Sequence, residues 1–336
     1  MMEGTERVST VRRNILIAVI LAGVLAAVAV VLLAGRGGGP VAIVANSDPH
    51  APRTVSKDIL NAVDKITLQT PQAELVAKGR ELFRSNVDAK NGESCQSCHT
   101  EGAANNAIGP TPHDPHVIGI DNSFKGVRDP PVLFGVAHTD PYFWIGNVAT
   151  LNEVAVATLQ NHFKTAFNQP AVTADEFAAE AAALTAYMQT IKAPVTDFDR
   201  GTMSAAALRG EELFQGKAAC AACHGGPDFT DNRVHDTFVP QRPGDTDPGR
   251  SKPPNGVLCP LNPPTKSPTA ARPLDCAFNT PTLRGLSLAK TAPYMHNGIF
   301  ATLEEVVSFY NTQSSIAPLL LTAQEQSDLV AYLKAL

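Results

Sequence analysis

The sequence lacks any concentration of basic residues. Its 27 Lys and Arg residues are outnumbered by 32 Asp and Glu residues, and the formal net charge is −5. Because charges of both signs are mixed along the chain, no basic patch is available to bind the phosphate backbone of a nucleic acid. Nucleic acid is therefore not an expected partner.

The sequence also lacks the alternation of apolar and polar residues that is typical of half-buried β-strands. Its periodic segments have helical spacing instead, most clearly the Ala- and Leu-rich residues 174–191 and 322–336. A chain of 336 residues has room for two modest domains and additional segments. We therefore expect a mainly α protein.

Charged residues are missing from the apolar run Ile15–Ala34. At about 1.5 Å per residue, a helix of this length spans about 30 Å, the hydrocarbon core of a membrane. Arg7, Arg12 and Arg13 precede the run, which favours a cytoplasmic N-terminus. We predict a single-pass anchor in the inner (cytoplasmic) membrane, with the globular part in the periplasm or another extracytoplasmic space. A cleavable signal peptide is the alternative.

Cysteine is scarce, but four of the six cysteines form two Cys-x-x-Cys-His motifs. In such a motif the two thiols can bond to the vinyl groups of haem, while the imidazole reaches the iron. A zinc site or a thioredoxin-like dithiol would not explain why a histidine follows both pairs. The sequence thus predicts two covalently bound haem c groups. The motifs are Cys95-Gln96-Ser97-Cys98-His99 and Cys220-Ala221-Ala222-Cys223-His224.

The remaining cysteines, Cys259 and Cys276, lie in a proline-rich segment within the second half of the chain. An oxidising compartment favours a disulfide bond between them, which would hold this long loop in place. Two buried free thiols are the alternative, because the distance between them cannot be read from sequence.

The haem motifs belong to an internal repeat. Lys78–Phe83 before the first motif matches Arg209–Phe214 before the second, and Pro141–Gly146 further on matches Pro293–Gly298. After the later segment a helix is expected in each half, beginning at a threonine cap, Thr150 or Thr302.

The repeat predicts two tandem cytochrome c-type domains behind the membrane helix. The segment before them is rich in Gly, Pro, Ser and Asp, which is typical of a tether. The expected divisions are a cytoplasmic stub and anchor at 1–36, a flexible linker at 37–72, a first domain with haem 1 at 73–200 and a second domain with haem 2 at 201–336.

Four further motifs accompany the haem motifs: Phe143-Trp144-x-Gly146, Pro281-Thr282-Leu283-Arg284, Thr291-Ala292-Pro293-Tyr294-Met295-His296-Asn297-Gly298 and Thr302-Leu303-Glu304-Glu305. Together they resemble the bacterial di-haem cytochrome c peroxidase and MauG-like family over residues 73–336. The resemblance implies that one haem stores and relays an electron, while the other has an open face and reacts with peroxide.

The resemblance implies a di-haem oxidoreductase that reduces hydrogen peroxide, and the apolar run Ile15–Ala34 implies that it is tethered to a membrane. Electrons would pass from the His224 haem to the His99 haem, and a small redox protein or a membrane donor would supply them. Two alternatives stay open: a non-catalytic di-haem electron-transfer cytochrome, and MauG-like oxidative modification of a partner. Assembly as a homodimer is also left open.

The resemblance implies roles for individual residues as well. Trp144 matches the tryptophan that carries charge between the haems. Tyr310 matches the sixth ligand of the second haem, with Met295 as its rival, because a thioether sulfur is a common haem ligand. In the first half, His162 lies one helical turn beyond Thr158, the repeat counterpart of Tyr310. We expect His162 at the first haem, either as its sixth ligand or as a distal acid and base.

A calcium ion between the domains is a further feature that the resemblance implies. Asp129 matches its side-chain ligand, and Thr291 and Pro293 match its backbone carbonyl ligands. Charged and neutral oxygen atoms are the ligands that calcium prefers. An ordinary loop role for Asp129, which precedes two prolines, is the alternative.

Overall fold

The computed structural model describes residues 55–85, 94–99, 128–162, 174–241, 276–286 and 292–336, and these residues are mainly helical. The mainly α prediction is confirmed. Two short 3-10 helices and a small antiparallel sheet complete the described part. The elements are α1 (Lys57–Gln69), α2 (Gln72–Arg84), α3 (Cys95–Cys98), α4 (Leu151–His162), α5 (Ala174–Met188), α6 (Asp197–Arg200), α7 (Ala205–Gln215), β1 (Val234–His235), β2 (Phe278–Asn279), α8 (Leu303–Thr312) and α9 (Ala323–Leu333), with 3-10 helices at Val136–His138 and Cys220–Ala222.

Helices α2 and α5 cross closely in the first half, at Gly79. A β-carbon added to Gly79 would collide with the carbonyl group of Ala183, so the crossing requires a residue without a side chain. Phe83 and Tyr187 pack edge to face beside it, with ring centres 5.1 Å apart.

Helices α7 and α9 make the equivalent crossing in the second half. Here Gly210 faces the carbonyl group of Asp328, and Phe214 packs edge to face on Tyr332 at 5.2 Å. The two crossings place the helix before each haem motif in the same way, so the repeat in the sequence is also a repeat in packing. A buried core surrounds the second crossing; its members include Phe214, Phe229, Leu303, Leu329, Tyr332 and Leu336.

The helix predicted after each repeat segment begins at the expected threonine. The hydroxyl of Thr302 accepts a hydrogen bond from the backbone N–H of Glu305, and the Glu305 carboxylate accepts one from the Thr302 N–H. Thr150 and Glu153 form the same reciprocal pair. Such a capping box satisfies N–H groups that the helix itself leaves unpaired.

One part of the predicted linker at 37–72 is structured. Helix α1 occupies Lys57–Gln69, and its Ile59 and Val63 are buried. The four-residue spacing places both on one helix face, which explains why the segment folds against the domain instead of forming a tether.

The predicted anchor at residues 15–34 lies outside the described residues. Among the helices that the structure does describe, none is long and apolar enough to cross a membrane. Cys276 takes part in a disulfide bond, and Cys259, its predicted partner, also lies outside the described residues.

Candidate functional site

The second Cys-x-x-Cys-His motif forms a tight turn that presents a neutral imidazole. The backbone N–H of His224 donates to the carbonyl of Cys220 at 2.9 Å. Its ring Nδ1 lies 2.9 Å from the carbonyl of Phe229, which can only accept, so Nδ1 carries the proton and Nε2 keeps its lone pair. Burial lowers the pKa of His224, which favours the neutral form that binds iron.

Tyr310 of α8 reaches the same site. Burial of the phenol raises the pKa of Tyr310 to about 12, the nearby thiols of Cys220 and Cys223 act in the same direction, and a hydrogen bond with the Thr237 side chain opposes them. The ring is only partly buried, whereas its hydroxyl end is strongly desolvated, so the hydroxyl lies at the deep end of the site. The structure therefore brings Tyr310 together with the second cysteine pair.

Met295, the rival ligand, lies in the turn 293–298. Its φ of +74° places it in the left-handed region. The carbonyl of the next residue, His296, accepts a hydrogen bond from the backbone N–H of Asp129 in the first half. Met295 thus belongs to a turn that contacts the other half of the chain.

Burial raises the pKa of the Cys220 thiol to about 12 and that of Cys95 to about 12. The thiolate is the form that attacks disulfides and binds zinc. Thiols that resist ionisation therefore argue against a thioredoxin-like role, and they are compatible with covalent attachment of haem.

The sequence did not single out Asp231, which lies in the same pocket. Ligand atoms of Cys223, Asp231 and His235 lie within 4.8 Å of one another, and His235 Nε2 is 2.7 Å from an Asp231 carboxylate oxygen. Because Cys223 belongs to the haem motif, this group is best interpreted as part of the haem pocket wall. Asp231 carries no motif that sequence reasoning could have used.

The first motif repeats the backbone turn of the second. The backbone N–H of His99 donates to the carbonyl of Cys95 at 2.9 Å. Burial lowers the pKa of His99 to about 4, and the carbonyl of Pro131 opposes part of the shift. Pro281 acts on His224 in the same way. Both imidazoles are therefore neutral at pH 7, which fits iron ligation at both sites.

The distal side of the first site is described only in part. Thr158 in α4 is the counterpart of Tyr310 in α8, seven residues after the start of each helix. His162 is the last residue of α4, and its side chain lies outside what the structure describes. The predicted role of His162 stays a prediction.

Trp144 lies where the two halves meet. Its indole N–H donates to the carbonyl of Asp129 at 2.6 Å. Its ring packs edge to face on His296 with centres 6.3 Å apart, and His296 stacks on Phe278 at 3.5 Å. The predicted position of Trp144 between the domains matches this arrangement.

The backbone of the two halves is joined reciprocally at this junction. The N–H of Asp129 donates to the carbonyl of His296 at 2.7 Å, and the N–H of Asn279 donates to the carbonyl of Trp144 at 2.6 Å. Asp129 and Asn279 are repeat counterparts, each two residues before the proline that acts on the haem-motif histidine. Trp144 and His296 are also counterparts. Each half thus supplies the same donor and the same acceptor.

Two of the three predicted calcium ligands lie close together. Asp129 is only 2% exposed, and a β-carbon added to Gly298 would lie 2.5 Å from its Oδ2 and 2.9 Å from Pro293 Cγ. A buried carboxylate supplies the charged oxygen ligand that calcium prefers. Thr291, the third predicted ligand, lies outside the described residues.

Comparisons with known proteins agree with this geometry. A family model described as di-haem cytochrome c peroxidase matches residues 73–180. The cytochrome-c peroxidase IdrP1 of Denitromonas iodatirespirans is 31% identical over 328 residues, which cover 79% of this chain and 81% of that protein. The methylamine utilization protein MauG of Methylorubrum extorquens is 29% identical over 78% of each chain.

Solved structures share the fold. A MauG-like protein associated with microbial copper homeostasis has a TM-score of 0.57 at 24% identity, over 87% of this chain and 95% of that one. The diheme peroxidase BthA of Burkholderia thailandensis has a TM-score of 0.56 at 20% identity, over 79% of this chain and 86% of that one.

Proposed function

Because the chain belongs to the di-haem cytochrome c peroxidase family of oxidoreductases, we propose that it reduces hydrogen peroxide with two covalently bound haem c groups. When bound, the haems would supply electron storage at the second site and peroxide reduction at the first, with Trp144 between them. The residues that would hold them are Cys95, Cys98 and His99 for haem 1, and Cys220, Cys223, His224 and Tyr310 for haem 2.

The proposal rests on the difference between two equivalent helix positions. Tyr310 in α8 reaches the second cysteine pair, whereas α4 carries Thr158 at the matching position. A threonine side chain is shorter than tyrosine by an aromatic ring, so at this position α4 has no side chain that could match the reach of Tyr310. We therefore assign the reactant to the first site.

Reduction of peroxide to two waters consumes two electrons and two protons, so the reacting site needs a group that moves protons. We assign this role to His162, one helical turn beyond Thr158. Its imidazole would take a proton from the attacking peroxide oxygen and return it to the leaving oxygen. An unperturbed histidine titrates near pH 6.5 and suits both steps.

The test combines spectroscopy of the ferric protein with a variant pair. Wild type should show a high-spin component and should consume peroxide at the expense of a reduced small cytochrome. His162→Ala should slow peroxide consumption and leave the high-spin component in place. His138→Ala, at an exposed histidine of the same half, is the matched control and should behave as wild type. A wholly low-spin wild type without peroxide turnover would instead favour the electron-transfer cytochrome.

A second candidate function, oxidation of a partner protein, is favoured by Tyr310. A phenolate ligand stabilises ferric iron more than a thioether does, and this suits a site that is oxidised by the first haem and then oxidises a partner. Electron flow would then be reversed. Failure of reduced cytochromes to support turnover, together with stable storage of two oxidising equivalents after peroxide addition, would identify this function.

We propose calcium at Asp129, Thr291 and Pro293, and a small redox protein or a membrane donor as the source of electrons. Support for the ion comes from the buried carboxylate of Asp129 beside Pro293. Metal analysis of the purified protein after dialysis tests it, and one calcium ion per chain is expected. Assembly as a homodimer stays a prediction.

We further propose that residues 1–36 anchor the protein in the inner membrane, with the haem domains in the periplasm. The apolar run Ile15–Ala34 supports the anchor. The disulfide bond of Cys276 supports an oxidising compartment. Full-length protein should fractionate with membranes; recovery in the soluble periplasm would contradict the anchor.

A further inference from the structure

Asn279 holds the turn that carries Trp144. Its backbone N–H donates to the carbonyl of Trp144 at 2.6 Å. Its side-chain Nδ2 donates to the carbonyl of Pro141 at 2.5 Å and makes a longer contact with the carbonyl of Phe143 at 3.5 Å. One residue of the second half therefore binds three carbonyl groups of a four-residue stretch in the first half.

This turn requires support from outside because it contains a strained residue. Phe143 has a φ of +62°, in the left-handed region, which costs a residue with a bulky side chain about 1–2 kcal/mol. Such a conformation persists only where surrounding contacts fix it. The bonds from Asn279 lie on both sides of Phe143, and Trp144 follows directly.

The orientation of the Trp144 ring depends on the same turn. Its indole N–H donates to the carbonyl of Asp129, and the ring meets His296 of the second half. If residues 141–144 relaxed, the indole would move relative to both partners. The hydrogen bonds of Asn279 therefore act on Trp144 through the backbone.

The repeat counterpart of Asn279 is Asp129, which cannot use its side chain in the same way. An ionised carboxylate only accepts hydrogen bonds, so it joins a carbonyl oxygen only through a bridging cation or a bridging water molecule. An amide carries two donor hydrogens and bonds to a carbonyl directly. At position 279 the amide therefore binds the carbonyl oxygens directly, whereas at position 129 a cation would bind them.

We propose that Asn279 is a positioning residue for Trp144, because its side-chain amide fixes the turn 141–146. Asn279 is the counterpart of Asp129 that holds its turn without a cation. That Trp144 carries electrons, and that a cation binds at Asp129, both rest on the proposed function. The hydrogen bond of the Trp144 indole does not depend on the proposed function, and this bond is what the experiment measures.

Trp144 is the only tryptophan in the chain, so ultraviolet resonance Raman bands of indole report on this residue alone. Asn279→Asp replaces the donating amide with a carboxylate of the same shape and should shift the band that is sensitive to the indole N–H bond. The matched control is Asn232→Asp. Asn232 also donates across the halves, to the carbonyl of His138 at 3.3 Å, a residue that precedes the Trp144 turn and is not part of it. The control should leave the band unchanged.

Asn279→Ala removes the amide without adding charge, and it serves if the aspartate variant does not fold. Its indole band should shift as well, and electron transfer between the haems after pulsed reduction should slow, with the haem absorption bands unchanged. An unshifted band in folded Asn279 variants, or an equal shift in Asn232→Asp, would overturn the proposal. The Raman experiment uses the resting protein, so a wild type without peroxide turnover would refute the proposed function and leave this test intact.

Discussion

Tyr310→Phe is the most direct test of the second site, because it removes one oxygen atom and keeps the ring. Ionising a phenol with a pKa of about 12 at pH 7 costs about 7 kcal/mol of free energy, at about 1.4 kcal/mol per pH unit. Only direct bonding to a ferric iron offsets a cost of this size. Tyr310 is therefore either an ionised iron ligand or a neutral neighbour of the iron, and the two states have different spectra.

The stability effect of the same change should be small. The Thr237 side chain lowers the pKa of Tyr310 against the effect of burial, and one polar contact of this kind contributes about 0.5–1.5 kcal/mol to stability. We therefore expect the free energy of unfolding to fall by about 1 kcal/mol while the second haem changes from six-coordinate to high-spin or differently ligated. Electron spin resonance and denaturant titration measure the two effects separately.

Tyr332→Phe provides a matched control in the same half of the chain. Tyr332 is completely buried, its pKa is also raised to about 12 by burial, and its hydroxyl has no hydrogen-bond partner among the described residues. Removing that hydroxyl should leave the haem spectrum unchanged and the stability equal or slightly higher. An unchanged spectrum for Tyr310→Phe would refute ligation by Tyr310 and would transfer the role to Met295.

Four further outcomes are expected. A pyridine haemochrome assay should give two haems per chain, and Cys223→Ala should lose the second. Acidification from pH 7 to 5 should lower the free energy of unfolding by about 2 kcal/mol. The reason is that His99 takes up a proton near pH 6.5 in the unfolded chain, whereas its pKa in the folded chain is about 4. Equal denaturation curves at both pH values would contradict a buried neutral His99. Gly210→Ala should lower the melting temperature, since overpacking at about 1–3 kcal/mol outweighs a gain in helix propensity of about 1 kcal/mol, whereas Leu208→Ala on the exposed face should not. Calcium chelation should perturb the indole Raman bands of Trp144, and Asp129→Asn should lose this sensitivity to chelation.

The haem motifs, the helix caps and the place of Trp144 could be predicted, the first two because each depends on residues close together in sequence. A Cys-x-x-Cys-His turn closes on itself through the bond from the His224 N–H to the Cys220 carbonyl. Thr302 and Glu305 are three residues apart and pair across one helical turn. Trp144 is the exception, because its place between the haems is implied by the resemblance to the family and not by its sequence neighbours.

Other features depend on contacts between distant residues, and motif reading missed them. Asn279 bonds to Pro141, 138 positions away, and nothing in a lone asparagine announces this. Extending the repeat alignment to Asp129-Pro130-Pro131 and Asn279-Thr280-Pro281 would have found the equivalence of positions 129 and 279 and the two prolines that face the haem-motif histidines. Helix α1 was missed because the polar residues before it are typical of a linker, and the predicted linker was therefore extended to residue 72.

The reciprocal junction sets a rule for recombining this protein with its relatives. At this junction each half donates one backbone hydrogen bond to the other and accepts one back, from Asp129 to His296 and from Asn279 to Trp144. A chimera joined between residues 200 and 201 would take segment 128–146 from one parent and segment 278–298 from the other. These two segments would not have evolved together, so their contacts would not be matched. Exchanges that carry 128–146 and 278–298 together as one cassette should keep the register of the two haem domains, whichever parent supplies the helices around them.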